Sequence, residues 1–452
     1  MMIRAIAGST LFPVFEWVSG RHVTAQYEAL KAAGNEAWEI RKYKNRQRLA
    51  SIVSFAKANV PYYRNILTKI RFDPLRLLDD PKYLQDIPIL TKRDLLEYGS
   101  AIISERHKGY IKLQPSHTNG STGPNLAIYY SPSAKDISAA VTRLTQDWVG
   151  YRAHQIQVHL STRIPNHGDR RAHRIENIRR FLARRESVEF SSLLHDELLR
   201  SWEEISSFKP YLVQGLPSQL YAIAGAVKEA HDSQYGHFKV FVSTGETLFP
   251  HQRALIEDVF GCRIANRYGS AEFGIIAHED FRVSSDDIRT SHLMRVVDTH
   301  VWVDAYKNLG SGVSPVLITT LNNKAFPLIN YTSGDLAEVI ERDDGIFISP
   351  VQGRIHDEVI IGGKRFSTQF FQDLLSARCG ITDFQVIRML DGAFKIRVVP
   401  KSDAKQDFIR GVLTSTFGDK LRVEFCKLAE LERVGAQNKF RYVIDEGKAD
   451  RS

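Results

Sequence analysis

From Leu198 to Asn266 the chain alternates helix-patterned stretches with short apolar runs, and few architectures accept that order. Leu198 to Phe208 and Ser218 to His231 read as helices flanking the run Tyr211-Leu212-Val213-Gln214-Gly215. Phe238 to Ser243 is a second apolar run, followed by a helical stretch over Pro250 to Phe260 and a short strand over Arg263 to Asn266. Upstream, residues 25 to 70 read as helical through Leu49, Ile52, Phe55 and Ala56, ended by Val60-Pro61-Tyr62-Tyr63. Residues 136 to 150 read as helix, and Ala127 to Tyr130 and Gln155 to Leu160 as strands. Apolar residues three and four apart give one helical face, whereas short unbroken apolar runs bounded by turns suit buried strands. Helices alternating with such strands predict an α/β fold.

The pattern turns strand-rich over Val316 to Thr320, Ala337 to Ile340 and Ile346 to Ile348, and its character changes again after Gly353-Arg354. The remainder mixes helices (Thr368 to Ala377, Ala404 to Phe417) with strands (Phe384 to Met389, Phe394 to Val399), as a small α+β unit does. The expected organisation is a large N-terminal domain over 1–353 and a small C-terminal domain over 354–452. No internal repeat or low-complexity linker interrupts it.

The 452 residues are 43% hydrophobic and 25% charged, the balance of a soluble globular protein able to bury a core without covalent staples. Cys262, Cys379 and Cys426 lie far apart and form no CxxC pattern, which argues against a disulfide framework or a zinc ribbon and for a reducing, cytoplasmic setting. Met1 to Gly20 is mildly apolar, but Arg4, Pro13 and Glu16 interrupt it. It is too broken for a membrane span and lacks a leader's cleavage pattern, so it reads as a first helix packed on the body, with a peripheral membrane contact left open. The net charge is +9, and eight arginines fall in one block from Arg163 to Arg185. Such a block is either a solvated surface or a docking surface for an anionic partner. Aromatic residues are not interleaved with it, which speaks against nucleic acid.

One polar stretch stands out for chemistry: Thr118-Asn119-Gly120-Ser121-Thr122-Gly123. Gly120 and Gly123 free the backbone to fold tightly and to turn N–H groups toward one point, and Thr118, Ser121 and Thr122 add hydroxyl donors. The combination suits a polyphosphate, although Gly/Ser/Thr runs also make ordinary turns. It lacks the Gly-Lys-Ser/Thr ending of a Walker loop, so the common nucleotide triphosphatase reading fails.

Further segments follow in order: Ser243-Thr244-Gly245-Glu246-Thr247-Leu248, then Asn266-Arg267-Tyr268-Gly269-Ser270-Ala271-Glu272-Phe273-Gly274, then Tyr331-Thr332-Ser333-Gly334-Asp335, then Gly353-Arg354-Ile355-His356-Asp357, and last Asn438-Lys439-Phe440-Arg441. Together with the glycine-rich stretch they resemble the adenylate-forming superfamily of acyl-CoA synthetases over essentially the whole chain. The branch they are most similar to is that of phenylacetate–CoA ligase, with its CapK-like and coenzyme F390 synthetase-like members. Val60-Pro61-Tyr62-Tyr63 and Leu321-Asn322-Asn323-Lys324-Ala325-Phe326-Pro327-Leu328 also look like that branch. The resemblance implies a large N-terminal adenylate-forming domain and a small mobile C-terminal one.

The resemblance also implies site roles, and several have a physical rationale of their own. The loop at Thr118 to Gly123 would hold the outer phosphates of ATP and stabilise charge developing on pyrophosphate. Glu272 would bind Mg²⁺, since a carboxylate beside a triphosphate is repulsive unless a cation lies between them. Tyr268 is a candidate to stack on adenine, with a core aromatic as the alternative. Ser243, Gly245 and Glu246 resemble a segment lining the adenine pocket, and Gly269 and Ser270 belong with Tyr268. Asp335 can accept both ribose hydroxyls, though Ser-Gly-Asp is also good turn chemistry. Arg354 would reach the ribose or the α-phosphate. His356 and Asp357 fall at the expected hinge, where a histidine departs from the usual acid or lysine. Lys439 matches the late catalytic lysine, whose cation neutralises the approaching oxygens. Gln437-Asn438 replace the Ser-Gly that usually precedes that lysine, and Glu432-Arg433 replace the usual Pro-Arg.

For the acid, His159, Gln214, Gly215, Ser218, Phe273 and Gly274 are candidate lining residues, each also suited to ordinary packing. His278 and His292 read as ordinary histidines, because no cysteine follows the glutamate motif closely enough for a Cys/His metal site. The expected chemistry is ATP-dependent activation of a small carboxylic acid as acyl-AMP, with transfer to coenzyme A, an acyl carrier protein or an amine. CapK-like relatives point to an amine-bearing sugar of a cell-surface polysaccharide. Transfer of AMP to a hydroxylated cofactor, and a non-catalytic nucleotide-binding relative, are the alternatives. The acid, the acceptor and the oligomeric state are open.

Overall fold

A computed structural model describes residues 16, 19–109, 113–117, 126–161, 180, 184–190, 193–230, 238–283, 292–306, 312–353, 359–361, 363–366, 368–376, 379–401, 404–418, 421–434 and 439–446. The chain forms two compact units, one built from Met1–Gln157, Asp169–Arg185 and Ala265–Val351, the other from Val158–Gly168, Glu186–Ile264 and Gln352–Ser452.

From Val23 the first unit runs through helices α1 (Val23–Gly34), α2 (Trp38–Asn59) and α3 (Pro61–Lys69). The helical pattern over 25 to 70 is therefore broken twice. Val60 is extended (φ −122°, ψ 113°), as a residue before proline must be, and Pro61 starts the next helix at the position where a missing N–H costs nothing. Strand β1 (Leu90–Thr91), helix α4 (Lys92–Ile102), the hairpin of β2 (Gln114–His117) and β3 (Ala127–Tyr130), and helix α5 (Pro132–Trp148) complete the N-terminal part. His117 pairs with Ala127 across that hairpin, so the strands on either side of the glycine-rich stretch are held together.

The second unit takes over with β4 (Gln157–Ser161), β5 (Arg185–Glu189), α6 (His195–Ser207), β6 (Leu212–Gly215), α7 (Pro217–Glu229), β7 (Val240–Thr244) and α8 (Pro250–Phe260). Its strands lie in the order β5-β4-β6-β7, with β6 and β7 parallel, as the alternation of helix and buried strand predicts. Trp202, Phe238 and Phe260 form the centre of its packing, with Trp202 and Phe260 ring centroids 4.6 Å apart.

The chain then returns to the first unit with β8 (Arg263–Ser270), β9 (Gly274–Glu279), β10 (Met294–Val296), β11 (Val301–Ala305), β12 (Ser314–Thr320), β13 (Tyr331–Thr332), β14 (Leu336–Ala337), β15 (Val339–Arg342) and β16 (Gly345–Ile348). Strands β8-β9-β10-β16-β15 run in that order, and β1-β13-β12-β11 form a second sheet with β14 beside β12. Side chains of α2, α3 and these sheets share one core, including Leu49, Ile52, Tyr63, Phe273, Ile318 and Tyr331.

The C-terminal stretch of the second unit comprises β17 (Val359–Ile361), β18 (Lys364–Phe366), α9 (Thr368–Ser376), β19 (Ile381–Arg388), β20 (Phe394–Pro400), α10 (Gln406–Phe417), β21 (Leu421–Phe425), β22 (Arg433–Val434), β23 (Lys439–Phe440) and β24 (Val443–Asp445). Its main sheet has the order β21-β20-β19-β24 and packs on Phe371, Leu413 and Phe417. Among the described residues, no helix is long and apolar enough to cross a membrane.

Candidate active site

Strands β8 and β9 form a hairpin whose tip is Ala271-Glu272-Phe273, flanked by the paired Ser270 and Gly274. The register shifts between Tyr268 and Gly269, and there the strands approach closely. A Cβ on Gly269 would stand 2.6 Å from the Gly274 carbonyl oxygen, which is backbone and cannot yield, so this position admits only glycine without distortion. The tip is anchored from β3. The Tyr130 hydroxyl donates to the carbonyl oxygens of Ala271 and Glu272, both at 2.8 Å. Burial, with the Glu272 charge adding to it, pushes that hydroxyl well above the ordinary tyrosine range and keeps it a donor. The strand that leads out of the glycine-rich stretch is thus bonded to the hairpin that presents Glu272.

Two carboxylates are then fixed by two tyrosines in a reciprocal arrangement. The Tyr331 hydroxyl donates to Glu272 Oε1 at 3.0 Å, and the Tyr268 hydroxyl donates to Asp335 Oδ2 at 2.8 Å. Tyr331 belongs to the segment that ends in Asp335, and Tyr268 to the segment that contains Glu272, so each segment holds the other's acid. Asp335 is buried (6% exposed) and also accepts from Ser333 Oγ at 2.6 Å. Gly334, at φ +85°, makes the turn that brings Ser333 and Asp335 together. Glu272 is half-buried, and its second oxygen has no partner among the described residues. The Ser270 hydroxyl is buried and also has none among the described residues. Among the described residues, no group of three or more His, Cys, Asp or Glu is arranged to hold a metal ion.

Other expected residues lie in the second unit. Ser243 ends the apolar part of β7, fully buried, with its hydroxyl lacking a partner among the described residues. Gly245 and Glu246 follow. Glu246 Oε1 accepts from the Phe440 N–H at 2.5 Å and Oε2 from the Ser218 N–H at 3.4 Å. Its carboxylate is thus engaged by the protein's own backbone rather than presented as an open pocket wall. Burial pushes its carboxyl upward, and the Arg433 guanidinium opposes that. Lys439 stands beside Phe440 in β23, with Val434 opposite in β22. His159, Gln214 and Gly215 lie on the neighbouring strands β4 and β6. Ser218 lies in the first turn of α7 in the same unit, whereas Phe273 and Gly274 belong to the first unit, where the Phe273 carbonyl accepts from His300 Nε2 at 2.8 Å.

Thr118, Gly120, Ser121, Thr122, Gly123, Arg354, His356 and Asp357 lie outside the described residues, as does most of the arginine block. His278 is buried with Nδ1 2.7 Å from the Glu279 carbonyl oxygen, and burial lowers its pKa to about 4. His292 stands 3.8 Å from Glu279. Sequence reasoning overlooked Tyr130, Asp383 and Gln385. The one signal for Tyr130 was a tyrosine in an apolar strand, which needs a partner for its hydroxyl.

No protein-family model and no curated protein sequence matches the chain. Solved structures do. A 2-hydroxyisobutyryl-CoA ligase in a postadenylation state with R3-HIB-AMP is similar over 91% of both chains, at 16% identity and a TM-score of 0.69. This chain has the fold of adenylate-forming CoA ligases. The same ligase bound to 2-HIB-AMP and CoA in a thioesterification state is similar over 90% of both chains, at 18% identity and a TM-score of 0.56. An anthranilate CoA ligase, AuaEII, in complex with anthranoyl-AMP is similar over 72% of this chain and 64% of that one, at 18% identity and a TM-score of 0.51. The α/β fold expected from the sequence is the fold these structures share.

Proposed function

We propose that this protein is an AMP-forming ligase that activates a small carboxylic acid with ATP and passes the acyl group to a thiol. The observation that carries this is the pair of tyrosine-held acids, Glu272 and Asp335, on two cross-tied segments. Asp335 would accept the ribose hydroxyls, the Ser270 hydroxyl would donate to phosphate, and Tyr268, its hydroxyl committed to Asp335, would offer its ring to the base. Glu272 would hold Mg²⁺, which neutralises phosphate charge when bound. Gly269 shapes the hairpin, and Ser243 and Gly245 remain the candidates for the adenine edge.

The acid's carboxylate attacks the α-phosphorus of ATP, the bond to the bridging oxygen breaks, and pyrophosphate leaves. Lys439 would supply the cation near the α-phosphate, Arg354 a second one, and the Thr118, Gly120, Ser121, Thr122 and Gly123 loop donors for the departing phosphates. His159, Gln214, Gly215 and Phe273 are the proposed acid-side residues. Residues 354–452, hinged at His356 and Asp357, would form the mobile part. The chain passes from one compact unit to the other between Val351 and Gln352, and the unit it enters also contains Glu186–Ile264. The solved structures with a similar fold bind acyl-AMP and CoA by their descriptions, which favours coenzyme A as acceptor. The motifs favour the phenylacetate–CoA ligase and CapK-like branch, where a carrier-protein or amine acceptor, including an amino sugar of polysaccharide synthesis, is the finer reading. Cys262, Cys379 and Cys426 form no disulfide with one another.

The test is incubation with ATP, Mg²⁺ and a panel of carboxylic acids in the presence of hydroxylamine. Hydroxamate formed together with pyrophosphate is the expected result, and Lys439→Ala should abolish it while leaving ATP affinity nearly intact. Pyrophosphate released only with a hydroxylated cofactor would replace this reading with AMP transfer. ATP bound with no turnover of any acid would make the protein a nucleotide-binding relative.

A further inference from the structure

We infer that Glu246 is a positioning residue for Lys439: its carboxylate docks the β22–β23 hairpin onto the first turn of α7 and thereby fixes the backbone from which Lys439 departs. This rests on the proposed adenylating activity. The peptide that Glu246 grips is the one joining Lys439 to Phe440, through the Phe440 N–H at 2.5 Å. The same carboxylate reaches the Ser218 N–H, one of the first-turn groups of α7 that has no partner within its own helix. One acid therefore spans two backbone donors that the sequence places 222 residues apart, Ser218 and Phe440.

The neighbours explain why a carboxylate is needed. Arg433, opposite Phe440 in the hairpin, donates from Nη1 to Ser218 Oγ at 3.2 Å, and its guanidinium lies over the Phe190 and Phe440 rings at 5.6 and 5.9 Å. Glu246 and Asp383 supply the negative charge around that cation. The hairpin is also tied to its own sheet. Gln385, fully buried in β19, donates from Nε2 to the carbonyls of Glu432 and Arg441, each at 2.8 Å, and accepts from the Glu432 N–H at 3.0 Å. Gln385 therefore shapes the hairpin, whereas Glu246 decides where the shaped hairpin rests. A cavity of about 10 Å³ between Ser218, Asp383, Arg433 and Phe440 leaves little slack at the junction. A charge-assisted bond to a backbone N–H in such surroundings is stronger than a neutral one.

The consequence is selective. The docked hairpin matters to the half-reaction that uses Lys439 and not to the one that does not. Glu246→Ala and the near-isosteric Glu246→Gln are compared with the parent in three measurements on the full chain. In the first, single-turnover formation of acyl-AMP should fall at least tenfold in Glu246→Ala and less in Glu246→Gln, whose amide oxygen still accepts from Phe440. In the second, thioester formation from supplied acyl-AMP and coenzyme A should change less than twofold. In the third, amide hydrogen exchange at Phe440 should quicken in Glu246→Ala and remain slower in Glu246→Gln. Equal losses in both half-reactions, or a rise in the ATP dissociation constant with unchanged acyl-AMP formation at saturation, would overturn the inference in favour of a structural or a nucleotide-binding role. Unchanged exchange at Phe440 would overturn it whatever the activity. A parent protein that forms no acyl-AMP while Phe440 exchange still depends on Glu246 would instead remove the proposed function and leave a docking contact without that reaction.

Discussion

Glu272 and Asp335 illustrate how little of a polar site resides in the acids themselves. Each was marked by its local motif, but the tyrosines that orient them are 59 and 67 residues away in the chain, and no local pattern joins them. A buried carboxylate without its donors pays a desolvation cost that only these contacts offset. Tyr268→Phe removes the hydroxyl that donates to Asp335 and keeps the ring. It should lower stability by about 1–3 kcal/mol, because a buried acceptor loses a partner. It should also raise the KM for ATP more than it lowers kcat, since Asp335 is assigned to binding the ribose rather than to the reacting atoms. Thermal unfolding and steady-state kinetics on the variant check both. An unchanged KM with a reduced kcat would instead place Asp335 at the reacting atoms.

At the level of elements, the alternation of helix and strand was legible because buried parallel strands are short, apolar and bounded by turns. α8 matches its expected span, and α6, α7 and β6 lie within a few residues of theirs. The N-terminal helices were less legible. Continuous apolar spacing over 25 to 70 concealed the break between Gly34 and Trp38, whereas the helix end read at Val60-Pro61 is there in the structure. The β8 strand runs four residues beyond its expected end at Asn266, because Arg267, Tyr268, Gly269 and Ser270 are too polar to register as strand from sequence. They pair only because β9 folds back on them. Gly269→Ala tests that pairing. Its methyl group would press on the Gly274 carbonyl oxygen, and such overpacking costs about 1–3 kcal/mol. The melting temperature should fall, and acid activation should fall further than stability alone explains, since the same hairpin carries Glu272. A variant as stable and as active as the parent would show that the hairpin relaxes freely and does not set the position of the acid.

The molecule as a whole divides its expected site residues between its two compact units. Glu272, Asp335, Tyr268, Gly269, Ser270 and Phe273 belong to one, and Ser243, Gly245, Glu246, Lys439, Gln214, Gly215 and His159 to the other. The fold class and the order of segments were legible because each segment is short and local. The docking of the hairpin that carries Lys439 was not, because it depends on Glu246, Arg433 and Gln385, which come from distant parts of the chain. The central claim is that an acid's carboxylate oxygen attacks the α-phosphorus of ATP. Supplying the acid with heavy oxygen in its carboxyl group and weighing the AMP released after acyl transfer tests this most directly. One labelled oxygen is expected in each AMP, carried over when the acyl–oxygen bond breaks. AMP that carries no label, formed while pyrophosphate is released, would contradict it.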